Sequence, residues 1–337
     1  METLGKNRSM MGFLTKYKTV IILAAIIVVF AILNPVFIMP ANLMNMIKRA
    51  SYVALVGFGM TFIITLADLD LSVGSMAAIV GVTLAMMLGA GVPLILAIII
   101  VFALSLGMGL LNGFIIVKGK INAFLVTLAT MNIFRGIALT ISEGRPTPIT
   151  AEGFADFFGN GLIGDFLPTP IVIMVAFFVL TLFLYKRTKF GFYVRCIGGN
   201  PEAARVAGIN VGSIKLIAFT LNGLYACVAA LILAALMNSG MPDIGSDLAL
   251  DAIAAVVLGG TIIAGGYGTV WGTLGGVLIM GALNSGMSIL GAQSHVIILV
   301  KGIVIILAVL MQNVLSPDKL KAKPAKSMPA EAAPTKE

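Results

Sequence analysis

About ten times along this chain, the side chains stay apolar for long enough to carry a helix across a ~30 Å hydrocarbon layer. No other property limits its folding as much. Within lipid the backbone finds no water, so each run must satisfy its own N–H and C=O groups, as a helix or in a closed barrel. These runs are continuously apolar and lack the in–out alternation of barrel strands, which selects helices. Charged residues are only 11% of the 337, against about a quarter in a soluble domain. The expected fold is all-α, a polytopic membrane protein with about ten transmembrane helices. The spans fall near 20–38, 48–67, 73–90, 93–117, 122–141, 167–185, 214–236, 249–264, 269–290 and 296–312.

The formal net charge of +8 sits in the loops, so topology accounts for it and a nucleic-acid partner is not invoked. Residues 1–18 carry Lys6, Arg8, Lys16 and Lys18 and read as a cytoplasmic segment. The run after them meets Asn34-Pro35-Val36-Phe37 rather than a small-residue cleavage site, so it reads as an uncleaved span. Ten spans return the C-terminus to the cytoplasm. Lys118, Lys120, the loop 186–215 and the tail lysines then fall inside. The acidic loops 142–166 (Glu143, Glu152, Asp156, Asp165) and 238–250 (Asp243, Asp247) fall outside. Lys48 and Arg49 break the pattern by landing near the outer end of the second span. Either that region is a short interfacial helix with snorkelling side chains, or the first topological turn lies elsewhere. Residues 19–314 form the membrane domain, and the Lys-, Pro- and Ala-rich tail 315–337 has little to bury and reads as disordered.

The loop 186–215 holds a short helix with both ends marked. Asn200 suits the N-cap, Pro201 the first helical position and Glu202 the positive end of the helix dipole. Ala203, Ala204 and Arg205 continue the helix, and Gly208 closes it. Gly198 and Gly199 lead in. Such a helix between spans is a rigid knob.

Catalytic constellations are missing. His295 is the single histidine, so neither a His-based triad nor a two-His metal site can be built within the chain. Cys196 and Cys227 give no disulfide framework or metal spacing. No Gly-x4-Gly-Lys-Ser/Thr motif occurs, so energy from ATP would require a partner. No cofactor and no enzymatic activity are assigned. Polar side chains within spans are mostly neutral, among them Asn112, Asn132, Asn222, Asn284 and Ser285. Asn132, Arg135, Asn222 and Asn284 are the candidates for a translocation pathway. Arg135 has a second reading, in which it pairs with a carboxylate or carbonyl and only holds helices together. Asp70, Ser72 and Gly74 read as a structural turn, with Asp70 capping a helix that begins at Leu71 or Ser72. Asp251 and Lys301 lie near span ends and can snorkel. The turns at 68–75 and 264–273 echo each other as Gly- and hydroxyl-rich links between apolar segments. Gly272 and Gly276 permit close helix packing. An ion-coupled carrier would normally need carboxylates near the midplane, and none is securely placed there.

Four blocks in order carry a family resemblance. They are Asp70-Leu-Ser-Val-Gly-Ser75; Lys189-Phe-Gly191 with Gly198-Gly-Asn-Pro-Glu-Ala-Ala204 and Gly208-Ile-Asn-Val211; Leu250 through Gly259-Gly260-Thr261; and Gly265-Gly266 through Val270, Gly272-Thr273 and Asn284. From about Asn34 to Val314 the chain resembles the permease subunits of bacterial ABC importers for monosaccharides, the ribose/galactoside/xylose type. The resemblance implies a multi-pass protein of the bacterial cytoplasmic membrane that translocates a sugar by alternating access. It implies three partners: a cytoplasmic ATP-binding subunit, an extracellular or periplasmic sugar-binding protein, and a second permease copy or paralogue. The segment 198–205 matches the helix that couples to the ATPase. Asp68 stands where the family usually has a small residue, and Ile262-Ile263 replaces a more polar pair. The solute is therefore left open, with a branched-chain amino acid, a furanose signal or a polyol as alternatives to a monosaccharide and an ion-coupled carrier further behind.

Overall fold

The computed structural model describes residues 19–164 and 166–315. The segment 1–18, Asp165 and the tail beyond Leu315 lie outside the described residues. Helix α1 spans Thr19–Leu33. It is followed by α2 (Pro40–Thr65), α3 (Val73–Gly89), α4 (Leu94–Gly119), α5 (Ala123–Ile141) and α6 (Thr169–Arg187). Then come α7 (Lys189–Gly199), α8 (Pro201–Val206), α9 (Val211–Met237), α10 (Leu248–Leu258), α11 (Val270–Ile289) and α12 (Ser294–Leu315). Among the described residues, α2, α4, α5, α6, α9 and α11 are long and apolar enough to cross a membrane, while α1, α3, α10 and α12 offer shorter apolar stretches. Two antiparallel two-residue pairings, Thr147–Pro148 with Ser239–Gly240 and Leu162–Ile163 with Leu167–Pro168, tie down the connections at one end. That end carries the acidic loops. The opposite end carries α7 and α8 and is basic.

Helix α9 is the hub, packed against α2, α3 and α4 and buried along most of its length. Small residues bring it close to α4. A Cβ on Gly109 would overlap the Phe219 carbonyl, and Ser105 Oγ donates to the Gly223 carbonyl at 2.7 Å. Without a hydrophobic drive between helices in lipid, this backbone proximity and interhelical bonding are what hold a bundle together. Gly272 and Gly276 of α11 are packed in the same way against the backbone of Gly259 and Ala255 at α10.

Three boundaries differ from the sequence expectation. The first span stops at Leu33, because Asn34 caps a 3-10 turn, Pro35–Ile38, by accepting from Val36 N at 3.0 Å. Helix α2 begins at Pro40, so Lys48 and Arg49 are inside a helix. Lys48 Nζ reaches back to Asn160 Oδ1 at 2.8 Å, on the acidic-end connection. The span drawn over 249–264 is helical only to Leu258. There Gly259-Gly260 ends it, and the chain turns through Gly265 and Gly266 with φ of 88° and 76°.

Two segments dip into the bundle. From the basic end, the chain turns at Ala67 (φ 62°) and runs inward to start α3. From the acidic end, 241–247 runs inward to start α10. The two inner ends meet, since a Cβ on Gly74 would overlap the carbonyl oxygen of Gly245, itself at φ 72°. At 1.5 Å per residue α10 is only about 16 Å long, so it is a half-helix. Broken helices with inner termini are tolerated at depth only where protein or a cavity surrounds them.

Candidate functional site

The basic end is built by local capping and then fixed by close backbone contacts. Thr188 Oγ1 accepts from Gly191 N at 3.3 Å to start α7. Asn200 Oδ1 accepts from both Glu202 N and Ala203 N at 3.0 Å, with Pro201 in the first position of α8. Gly208, at φ 82°, closes the helix, and Ile209 N donates to the Ala204 carbonyl at 3.0 Å. Arg205 pairs with Glu202 on the exposed side. Ala204 alone in α8 is buried, whereas Val206 is 90% exposed. Asn210 then caps α9 by accepting from Ser213 N.

The knob is seated on the end of α2 and on the second of the echoing turns. A Cβ on Gly198 would overlap the Thr65 carbonyl and crowd Gly266 N, which itself donates to that carbonyl at 2.9 Å. Gly199 faces open space. Arg195 lies over the Tyr185 ring, 5.1 Å from its centroid, and donates to the Tyr185 carbonyl, locking α7 to α6. Thr65 Oγ1 and Tyr185 Oη are 3.1 Å apart. The α7–α8 unit is thus in direct contact, through Gly198, with the end of α2 and with the link between α10 and α11.

Asp68, in the turn after α2, pairs with Lys215 at 2.6 Å. Burial pushes the Asp68 carboxyl above its ordinary range, against the opposing pull of the Lys215 ammonium. Asp70 lies deeper. Its Oδ1 accepts from Ser72 N (2.9 Å) and Ser72 Oγ (2.6 Å), ahead of a helix that starts at Val73. Asn222 Nδ2 donates to its Oδ2 at 2.9 Å, and Asn112 Nδ2 donates to Ser72 Oγ at 2.8 Å. Four fully buried polar side chains thus tie the start of α3 to α4 and α9.

The four candidate pathway residues are dispersed. Asn132 is exposed on α5 and bonds its own helix at the Leu128 carbonyl. Arg135 donates to the carbonyls of Pro242 and of Ile244 (3.0 Å for the latter), so it clasps the inward-running segment. Asn222 belongs to the Asp70 cluster. Asn284 lines a cavity among α2, α10, α11 and α12. Asp251 and Lys301 line it too and pair with each other at 2.9 Å rather than reaching separately for the span ends. Two opposite charges in otherwise apolar helices were the available signal for that pair.

Membrane-spanning helices packed around two inward-running segments and a polar cavity, with a rigid knob at one end, define a polytopic transport protein. The chain belongs to the family described as the branched-chain amino acid transport system / permease component, which it matches over residues 42–309. It is 39% identical to the ribose import permease protein RbsC of Escherichia coli strain K12 over 311 residues, covering 92% of this chain and 97% of that one. The corresponding figures for RbsC of Bacillus subtilis strain 168 are 40% over 314 residues, with 93% and 97% covered. The L-arabinose transport system permease protein AraH of Escherichia coli strain K12 is 36% identical over 303 residues, covering 88% and 90%. No solved structure gives a significant match.

Proposed function

We propose that this chain is the membrane-spanning permease subunit of an ATP-driven importer for a ribose-type monosaccharide. It performs no chemistry itself, and hydrolysis is the work of a cytoplasmic ATPase partner. The sugar reading is supported by 39% and 40% identity to ribose import permeases of two bacteria over more than nine-tenths of the chain. A second permease, identical or paralogous, completes the pathway, and a sugar-binding protein delivers solute at the acidic end. The basic end, with both termini, faces the cytoplasm, as the Lys and Arg excess favours.

The observation that carries the coupling role is the seating of α7–α8. Helix α8 is capped at both ends and anchored by Ala204, while Ala203 and Val206 remain free for a partner. Gly198 sits directly on Thr65 and Gly266. ATP-driven closure of the partner ATPases moves α8, and that motion passes to α2, α10 and α11 in alternating access.

The test is Val206→Asp with Ala203→Asp in the complete transporter, followed by radiolabelled ribose uptake and co-purification of the ATPase. Both substitutions lie on the exposed face, so membrane insertion stays intact. Uptake falls at least about tenfold, equivalent to ~1.4 kcal/mol of lost docking, with loss of the ATPase. Wild-type uptake and co-purification would overturn the coupling assignment.

A further inference from the structure

The cavity among α2, α10, α11 and α12 has a volume of about 590 Å³. That lies within the range of small-molecule sites, roughly 300–1,000 Å³. A second hollow of about 310 Å³ continues from it, sharing Tyr52 and Asp251 and reaching the turn Asp243–Leu248 where α10 begins. An open polar concavity cannot face hydrocarbon, because unsatisfied polar groups there cost several kcal/mol each. It must be filled by water or solute, or covered by the second permease.

Its chemistry is mixed and largely unspent. Asn45, Asn284 and Ser288 line it, and among the described residues none of their side chains makes a hydrogen bond or ion pair. Lys301 Nζ contacts both Asp251 oxygens, at 3.0 and 2.9 Å, while both side chains keep 15–17% of their surface exposed. An ammonium has three donors and each carboxylate oxygen more than one acceptor site, so the pair has capacity beyond its mutual contact. A charge in a membrane helix costs roughly 2.5–3.5 kcal/mol on insertion scales, and this pair is open to the cavity rather than sealed from it. A zwitterion would have to break this pair to use it. A hydroxylated neutral solute can accept from Lys301 and donate to Asp251 while the pair stays closed.

We infer that this cavity is the chamber where the solute rests during passage, and that Asp251 and Lys301 are the specificity-determining pair binding its hydroxyl groups. The inference rests on the importer reading and adds the location and chemistry of its site. The chamber connects to the basic end through α10, whose far end is the Gly259-to-Gly268 link seated on Gly198.

Two measurements on the complete transporter test this. First, Cys196→Ser and Cys227→Ala remove the native thiols. Asn284→Cys and Ser288→Cys are then exposed to a membrane-impermeant thiol reagent from the acidic side, with Leu299→Cys on the exposed face of α12 as control. The cavity positions react at least tenfold faster than the control, and modification blocks uptake. Equal rates would overturn the chamber. Second, the charge swap Asp251→Lys with Lys301→Asp keeps an ion pair and the folded protein. Uptake of labelled ribose, arabinose, xylose and leucine is compared with wild type. The swap changes the ribose-to-arabinose preference at least threefold, whereas an unchanged profile means a structural tie and overturns the pair's role. If the wild type imports leucine and none of the sugars, the sugar reading and the hydroxyl role both fall, and the labelling result alone decides the chamber.

Discussion

Asn222 Nδ2, midway along α9, donates to Asp70 Oδ2 at 2.9 Å across 152 residues of chain. This bond fixes how deeply the turn after α2 enters the bundle, and hence where α3 starts. A buried acceptor left without its donor costs about 1–3 kcal/mol. Asn222→Ala is therefore expected to destabilise the detergent-solubilised protein by that amount, read as a lowered melting temperature. Asn132→Ala, exposed and bonded only to its own helix, leaves the melting temperature unchanged. Equal effects would refute the role given to the Asp70 cluster.

Gly198 and Gly199 are adjacent but face different surroundings. The first has Thr65 and Gly266 backbone where a Cβ would go, while the second has nothing within 4 Å. Gly198→Ala must push rigid backbone apart, at about 1–3 kcal/mol. It is expected to lower both stability and the ratio of ribose imported to ATP hydrolysed. Gly199→Ala leaves both near wild type. The pair of transport-to-ATPase ratios is the measurement.

Lys215→Met strands the Asp68 carboxylate, of which the side chain is only 11% exposed. A broken buried pair costs about 3–5 kcal/mol, reduced here by the partial exposure. The folded state already holds the Asp68 proton more tightly than the unfolded chain does, because burial outweighs the ion pair. Its contribution to stability is therefore greatest below the ordinary carboxylate range and is lost as pH rises through the raised value. Lys215→Met extends that loss to higher pH, and Asp68→Asn in the same chain removes the pH dependence. Melting curves from pH 4 to 8 would show it.

Arg135→Leu takes away the donor that holds the Pro242 and Ile244 carbonyls. The segment 241–247 is expected to loosen while the rest of the bundle stays folded. Amide exchange in that segment rises at least about tenfold, equivalent to ~1.4 kcal/mol of lost protection. Exchange in α9 stays unchanged.

Much of the architecture is written in runs and caps. Among the described residues the apolar runs mark α1 to α6 and α9 to α12, and Asn200, Pro201 and Gly208 mark α8, because a cap reaches only two or three positions along the chain. The early stop of α10 was not legible from hydropathy, since Ile262-Ile263 keeps the run apolar past Gly259. Arg135 offered two readings from sequence, and the carbonyls it meets lie more than a hundred residues away. Asp251 and Lys301 looked like separate snorkelling charges because nothing local links α10 to α12.

By itself, then, the sequence determined an all-helical membrane protein, its basic and acidic ends, and the capped knob. These follow from the needs of a backbone in lipid and from bonds between near neighbours. Only the tertiary structure decided that two inward-running segments meet at Gly74 and Gly245, that Asp70 is held by Asn222, and that Asp251 and Lys301 share a cavity. Those pairings depend on which helices lie side by side. In lipid that choice is made by close backbone packing and buried polar contacts, which no apolar run records.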